Sequence, residues 1–297
     1  MPGTPDERYM QKRIVEYLCS QPIVDASGNE TDQMEYHEVS PTEYDKDSCL
    51  IPSELFAFLK ASQGDNYCKW LTEKYEGDET VMQRDILTRI KSEMVAALKK
   101  ATKEHVPNGM NTPQGTLTLL RDKETIDCGR GMKFSLAYFK PANNKTPEHD
   151  VLYRANRLAI TEELVFSDDK MWRIDLAIFL NGFPIVTVEL KNTLSNQIHH
   201  NAIKQYMTDR PAKDGTLLQF KRCLVHFAVG SEQAFMTTRL AGDDTRFFPF
   251  NQCFENRTND PEELKKRKQA KLGYATYYIW EDVLRRDNLM DLLQNFI

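Results

Sequence analysis

The spacing of apolar residues along the chain predicts helices first and strands afterwards. A short amphipathic helix is expected to begin near Glu7, and apolar stripes at helical spacing run through residues 52–105. Residues 20–48 are polar and have little periodicity, so we predict mainly loop there, with a short strand. Prolines and glycines in residues 106–116 then end the helical pattern.

From residue 116 onwards, short runs of strand-forming residues replace the helical stripes. We predict strands at 116–120, 133–139, 157–166, 224–229 and 234–238, and a strand pair within 173–191. Helical segments are expected at 196–209, 259–269 and 279–296. The order of elements predicts an α/β fold, in which helices flank a mixed central sheet and an N-terminal helical elaboration precedes it.

The predicted strand pair contains the most informative polar residues. Asp175 lies at the start of its first apolar run, and Glu189 and Lys191 end the second. Side chains two residues apart on a strand share a face, so Glu189 and Lys191 should project together. Asn181 and Gly182 separate the two runs and are typical of a hairpin turn.

The register of this hairpin decides whether Asp175 can join the other two residues. A clean two-residue turn would place Asp175 opposite Val188, on the face away from Glu189. We therefore predict an odd-numbered loop or a bulge. A three-residue loop with Gly182 in a left-handed conformation would place Asp175 opposite Thr187, diagonal to Glu189 and on its face.

Two carboxylates and an ammonium on one face suit metal-dependent hydrolysis of phosphodiesters. Mg²⁺ prefers oxygen ligands and keeps several waters, so Asp175, Glu189 and the backbone carbonyl of Leu190 could hold it. The metal would lower the pKa of a bound water and neutralise phosphate oxygens. Lys191 would orient that water or stabilise developing negative charge. The spacing alone is a weak pattern, because charged residues at strand ends are often only solvated.

Composition narrows the class of protein only modestly. The chain has 297 residues, of which 40% are hydrophobic and 28% charged, as in a soluble globular protein. The net charge of −5 leaves a nucleic-acid partner open. Six cysteines without a C-x-x-C pair indicate reduced thiols and a cytoplasmic protein. No apolar run approaches the ~18 residues of a membrane span, so no membrane partner is expected, and no P-loop motif for ATP is present.

The segment around Asp175, Glu189 and Lys191 resembles the PD-(D/E)xK nuclease motif. The wider sequence is similar to the N-terminal nuclease region of the restriction (R) subunit of type I restriction-modification enzymes. The segments that carry this resemblance, in order, are Gly115–Leu117, Phe134–Pro141, Asn156–Thr161, Asp175–Gly182, Val188–Asn192, Ala202–Tyr206, Asp209–Arg210, His226–Val229, Met236–Gly242 and Thr245–Asn251. Their joint occurrence is far more specific than the catalytic triplet alone.

The resemblance assigns roles to individual residues. It implies that Asp175 and Glu189 bind the metal ion and that Lys191 is the catalytic lysine. Gln205 and Tyr206 match a Gln-Tyr signature on the helix after the catalytic strand, which implies contacts with DNA or support of the active site. The alternative for this pair is a polar helix face, with Tyr206 packed on the sheet.

A third acid is a further possibility that the resemblance raises. Some related nucleases use an acid from the first helix, and Gln11 stands where one such glutamate would align. Glu7, one turn earlier, is the candidate in this chain. The alternative is a solvated acid that stabilises the helix dipole.

The resemblance implies a restriction-endonuclease-like fold and magnesium-dependent endonucleolytic cleavage of double-stranded DNA, the activity of a type I site-specific deoxyribonuclease. In the family, the nuclease belongs to a larger subunit with an ATP-driven translocase, which assembles with modification and specificity subunits. We therefore expect a fragment that requires ATP only as part of the full-length subunit. The predicted regions are an N-terminal helical region (1–110), the endonuclease core (111–260) and a C-terminal helical segment (261–297).

Two other classes of function remain open from the sequence. The chain could be a non-catalytic DNA-binding or docking module of a multisubunit DNA-processing complex. It could also be a standalone structure-specific nuclease. The presence of all three residues Asp175, Glu189 and Lys191 argues against the first, and the family-like segments outside the hairpin argue against the second.

Overall fold

The computed structural model describes residues 7–103, 115–140, 147–167, 172–191, 202–209, 212, 215–252 and 274–296. Its helices are α1 (Glu7–Cys19), α2 (Pro52–Tyr75), α3 (Glu79–Lys103), α4 (Pro147–Arg154) and α5 (Arg286–Asn295). Its strands are β1 (Pro22–Val24), β2 (Glu30–Met34), β3 (Tyr36–Glu38), β4 (Ile126–Asp127), β5 (Lys133–Phe134), β6 (Leu158–Val165), β7 (Arg173–Leu180), β8 (Phe183–Lys191), β9 (Val225–Gly230), β10 (Ala234–Thr237) and β11 (Phe248–Pro249).

A mixed sheet of seven strands forms the centre of the fold, in the order β11-β10-β9-β8-β7-β6-β3. The pairs β3–β6 and β8–β9 are parallel, and the other neighbours are antiparallel. The predicted α/β architecture is therefore confirmed, and it is consistent with a restriction-endonuclease-like fold. None of the described helices is both long and apolar enough to cross a membrane.

The two faces of the central hairpin pack against different parts of the chain. One face, which includes Leu176, Ile178 and Val188, lies in one large core together with residues of α1, α2, α3 and α5. Ala177 and Phe179 lie on the other face, in a smaller core that includes Tyr206. The hairpin is thus buried on both sides, as its nearly continuous apolar runs require.

The turn of the hairpin has two residues, not the three of the specific loop that we predicted. Leu180 pairs with Phe183, and the intervening Asn181 and Gly182 both have positive φ, at 51° and 83°. Positive φ at both central positions is the requirement of a type I′ turn. The turn lies against α2: a Cβ on Gly182 would come within 2.4 Å of the backbone oxygen of Ile51.

The side chain of Asn181 explains why the tighter turn is stable. Its amide nitrogen donates hydrogen bonds to the carbonyl of Leu136 (2.8 Å) and to Oδ1 of Asn156 (2.9 Å). Its Oδ1 accepts a hydrogen bond from the backbone N–H of Arg157 at 2.7 Å. These bonds satisfy a fully buried amide and fix the turn conformation.

A bulge next to the turn restores the register that the site requires. Ile178 pairs with Val186 but Phe179 pairs with Pro184, so the second strand has one extra residue between these pairs. The predicted bulge is therefore confirmed. Asp175, however, is not opposite Thr187: the register of the pairs beyond the bulge places it opposite Glu189 itself.

Several predictions outside the hairpin are wrong in detail. Residues 20–48 contain three strands, and the last of them, β3, joins the central sheet beside β6. Residues 116–120 do not form a strand, because Thr118–Asp122 is a turn of π-helix with Leu119 and Leu120 both buried. The strand predicted at 133–139 is limited to β5.

Other segments agree with the sequence-based prediction as far as they are described. The strands predicted at 157–166, 224–229 and 234–238 correspond to β6, β9 and β10. Residues 202–209 of the helix predicted at 196–209 are helical, and its remaining part lies outside the described residues. The helix predicted at 259–269 also lies outside them.

The described part of the predicted C-terminal segment, residues 274–296, packs onto the same core as the sheet. The buried guanidinium of Arg286 donates hydrogen bonds to the backbone oxygens of Tyr153 (2.8 Å) and Asn156 (3.0 Å). Arg285 forms an ion pair with Glu35 at 2.6 Å. The boundaries of the three predicted regions stay predictions, but residues from all three contribute to the large core.

Candidate active site

Asp175 and Glu189 lie next to each other at the end of the hairpin that is remote from its turn. Asp175 is near the start of β7, and Glu189 is near the end of β8. Only 6% of Asp175 and none of Glu189 is exposed to solvent. Burial of two carboxylates in one place costs free energy unless other groups compensate for it, and for this reason such sites are commonly functional.

The carboxylate of Asp175 is fixed in orientation by the neighbouring strand. Its Oδ2 accepts a hydrogen bond of 2.7 Å from the backbone N–H of Leu190. This bond spans the two strands at the point where their backbone pairing ends. The side chain of Asp175 is therefore directed towards β8, which is the geometry that a site shared with Glu189 requires.

Lys191 and Glu7 form an ion pair at the same end of the sheet. The Nζ atom of Lys191 lies 2.9 Å from Oε1 of Glu7. The Lys191 side chain is 17% exposed and the Glu7 side chain 36% exposed, so the pair is largely shielded from water. The structure thus brings the first turn of α1 to the end of β8, and Glu7 is not a fully solvated acid.

A cleft of about 980 Å³ opens beside these residues. Its lining is unusually rich in charge: the acids are Glu7, Glu16, Glu38, Glu162, Glu163 and Asp175, and the bases are Arg8, Lys12 and Arg173. The cleft contains both the candidate metal-binding acid of β7 and the partner of Lys191. The six acids outnumber the three bases, so the formal charge of the lining is negative.

The acids on β6 and β3 were not identified from the sequence. Burial, followed by the charge of Glu38, raises the pKa of Glu162, while a hydrogen bond with Gln11 opposes this shift. Glu163 has a left-handed backbone (φ 54°) and pairs with Arg173 at 2.5 Å. The consecutive Glu162 and Glu163 within a strand-forming run are a sequence signal that could have identified this part of the cleft. Glu38 has no such signal, because its strand pairs with β6, which is distant in sequence.

The Gln-Tyr signature lies on the face of the hairpin that also contains Glu189. Gln205 and Tyr206 begin a five-residue turn of π-helix. Tyr206 is fully buried, and its hydroxyl lies 2.9 Å from Oγ1 of Thr187. Thr187 precedes Glu189 by two residues on the same strand, so both side chains project from one face. Tyr206 therefore packs on the sheet, which is what we expected if the Gln-Tyr pair were only part of a polar helix face.

A histidine extends this buried contact to the next strand. Nδ1 of His226 lies 2.7 Å from Oγ1 of Thr187, and the His226 and Tyr206 rings are 5.6 Å apart. Burial lowers the pKa of His226 to about 3, so the imidazole is neutral at physiological pH. His226 was not among the candidates from the sequence, although a histidine within an apolar strand is a recognisable signal.

The donor atoms of the site suit a hard cation. Asp175 and Glu189 place carboxylate oxygens on one face of the hairpin, and the backbone carbonyl of Leu190 lies between Glu189 and Lys191 in the chain. Among the residues that the structure describes, no cluster of three or more His, Cys, Asp or Glu has the spacing of a metal site. Mg²⁺ commonly uses only one or two carboxylates and completes its shell with water, so the two acids fit it.

Comparison with known proteins places the chain in a family. A family model described as "Type I restriction enzyme R protein N terminus" matches residues 66–245, which is more than half of the chain. The matched region includes Asp175, Glu189, Lys191, Gln205 and Tyr206, whereas Glu7 precedes it. No curated protein matches the chain significantly. The chain belongs to the family of type I restriction enzyme R protein N-terminal regions.

Proposed function

We propose that the chain is the nuclease domain of a type I restriction R subunit and that it hydrolyses phosphodiester bonds of double-stranded DNA with Mg²⁺. The observation that supports this proposal most strongly is the register of the hairpin. It places Asp175 opposite Glu189, with Lys191 on the same face and the cleft beside them. Family membership supports the same conclusion from an independent direction.

Asp175 and Glu189 are the residues that would hold the metal ion. The backbone N–H of Leu190 keeps the Asp175 carboxylate turned towards β8, so this acid is already oriented before an ion arrives. Bound Mg²⁺ would supply a water of lowered pKa and neutralise charge on the scissile phosphate. Both acids are on β-strands of a packed sheet, which limits their movement.

Lys191 would act on the attacking water or on the negative charge that develops at the phosphate. Its ammonium is held by Glu7, a residue of the cleft lining, which accepts a hydrogen bond of 2.9 Å from Nζ. This contact restricts a side chain that otherwise has many rotamers. Glu7 is thus proposed as the residue that positions Lys191, and as a candidate third acid of the site.

Gln205 and Tyr206 are proposed as support for this site from the adjacent turn. Tyr206 is buried against Thr187, so its role is to hold the turn on the sheet. Gln205 is only partly buried, and its Oε1 has no hydrogen-bond partner among the described residues. Because that oxygen is itself buried, we propose that Gln205 supports the site, and a contact with DNA through this oxygen would require it to become exposed.

The proposed partners follow from the family. We propose double-stranded DNA as the substrate and the modification and specificity subunits as protein partners in a cytoplasmic restriction complex. ATP would be required by the translocase of the full-length R subunit and not by the nuclease site described above. The choice of the DNA site would then depend on the other subunits.

Changing Lys191 to alanine should slow DNA cleavage by about 10²- to 10³-fold, the usual cost of losing one group that stabilises transition-state charge. The measurement is conversion of supercoiled plasmid to nicked and linear DNA by the reconstituted complex with Mg²⁺ and ATP. Lys123→Ala is the matched control, because Lys123 also pairs with a glutamate, Glu93 at 2.6 Å, outside the cleft. Equal nicking by wild type and Lys191→Ala would show that Lys191 has been misassigned.

A further inference from the structure

Three buried polar side chains form a continuous hydrogen-bonded chain beneath the candidate active site. The hydroxyl of Tyr206 is 2.9 Å from Oγ1 of Thr187, which is 2.7 Å from Nδ1 of His226. Tyr206 and Thr187 have no exposed surface, and His226 is 1% exposed. Polar groups so deeply buried are costly unless they are paired, and so each bond within this chain contributes more than a bond at the surface would.

This hydrogen-bonded chain connects three separate elements of the fold. Tyr206 lies on the turn Gln205–Asp209, Thr187 on β8 and His226 on β9. Thr187 and His226 are paired in the parallel register of β8 and β9, and the pair after next contains Glu189. The middle of the chain is therefore two residues from a proposed metal-binding acid, on the same face of the same strand.

The His226 imidazole can complete the hydrogen-bonded chain in either neutral tautomer. A neutral imidazole has one donor nitrogen and one acceptor nitrogen, and a hydroxyl can donate one bond while accepting another. Tyr206 can thus donate to Thr187, which donates to His226, or the direction can be reversed. In either direction, loss of the His226 nitrogen leaves a buried hydroxyl of Thr187 with one partner fewer.

We propose that His226 is a positioning residue of the nuclease: acting through Thr187, it holds the turn with Gln205 and Tyr206 against the strand that contains Glu189. This inference rests on the proposed nuclease function. His226 does not touch the reacting groups. It fixes the Thr187 hydroxyl to which Tyr206 is hydrogen-bonded, and the turn that contains Tyr206 then sets the position of Gln205.

The test uses three substitutions that remove or replace parts of the chain. His226→Leu fills the space without a polar atom, and Thr187→Val removes the central hydroxyl at nearly constant volume. His226→Asn is the rescue variant, because its short amide can present either an oxygen or an N–H near the position of Nδ1. Thermal unfolding of each variant confirms that it is folded before its activity is compared.

Single-turnover plasmid cleavage by the reconstituted complex should fall by about 10- to 100-fold in His226→Leu, the usual cost of losing a residue that orients a metal ligand or its support. His226→Asn should recover most of this loss. Adding His226→Leu to Thr187→Val should cause little further loss, because the chain is already broken. Equal activity in His226→Leu and wild type, equal loss in His226→Leu and His226→Asn, or additive losses in the double variant would overturn the inference.

Amide hydrogen exchange separates failure of this inference from failure of the proposed function. In the 297-residue chain, exchange of residues 205–209 should accelerate in His226→Leu and Thr187→Val and return towards the wild-type rate in His226→Asn. If wild type does not cleave DNA, or Glu189→Gln cleaves as well as wild type, the nuclease proposal fails and exchange alone decides whether His226 positions the turn. Unchanged exchange in His226→Leu overturns the positioning role.

Discussion

Changing Glu189 to glutamine should reduce Mg²⁺-dependent plasmid cleavage to background while the protein remains folded. Glutamine has the same shape but lacks the negative charge that a divalent ion requires. Loss of a residue that binds the metal ion directly should reduce the cleavage rate by more than the 10–100-fold typical of residues that only orient such a ligand. We therefore expect at least a ~100-fold decrease in the rate. The measurement is the same plasmid assay, with cleavage rates fitted at saturating Mg²⁺.

The burial of Glu189 adds a second expectation to this variant. A fully buried carboxylate is costly to desolvate, whereas a neutral amide of equal volume is less so. Without metal, the free energy of unfolding of Glu189→Gln should therefore equal or exceed that of wild type. Glu93→Gln, which changes an acid outside the cleft, is the matched control and should cleave normally. Wild-type cleavage by Glu189→Gln would exclude Glu189 from the site.

Changing Asp175 to asparagine should abolish measurable binding of Mg²⁺. The asparagine oxygen can still accept the hydrogen bond from the backbone N–H of Leu190, so the local structure should persist. The lost charge removes one of the two carboxylates proposed to hold the ion, and Mg²⁺ depends on such hard, negatively charged ligands. Isothermal titration calorimetry of wild type and Asp175→Asn with MgCl₂ measures the difference directly.

Asp150→Asn is the matched control for this titration. Asp150 is also paired within the fold, with Arg154 at 2.8 Å, but it is not part of the lining of the active-site cleft. Its variant should bind Mg²⁺ as wild type does. Identical heats in wild type and Asp175→Asn would favour the alternative of a DNA-binding or docking module in which the charged strand ends perform no chemistry.

The hairpin shows what the sequence can predict about the site. Alternation along each strand is local, so the shared face of Glu189 and Lys191 followed from spacing alone. The same alternation predicted a bulge or an odd-numbered loop, because a clean two-residue turn would place Asp175 and Glu189 on opposite faces. The length of the turn did not, because it depends on contacts of Asn181 and Gly182 with α2 and with residues distant in the chain.

The acids of the cleft could be predicted only in part from the sequence, because their positions depend on tertiary packing. Glu7 was a candidate from the resemblance alone, and its ion pair with Lys191 depends on how α1 packs on the sheet. Glu38 enters the cleft through a three-residue strand whose pairing with β6 leaves no periodic signal in the sequence. Glu162 had a local signal in its neighbour Glu163, but the burial and the nearby charge of Glu38 that raise its pKa arise only in the folded chain.

The most direct test of the proposed metal site is anomalous X-ray scattering from crystals of the protein grown with Mn²⁺, which binds the same oxygen ligands as Mg²⁺. We expect one strong manganese peak at the end of the hairpin, bonded to carboxylate oxygens of both Asp175 and Glu189. A peak bonded to other residues only, or no peak at saturating Mn²⁺, would contradict the assignment of these two acids as the metal ligands of a nuclease.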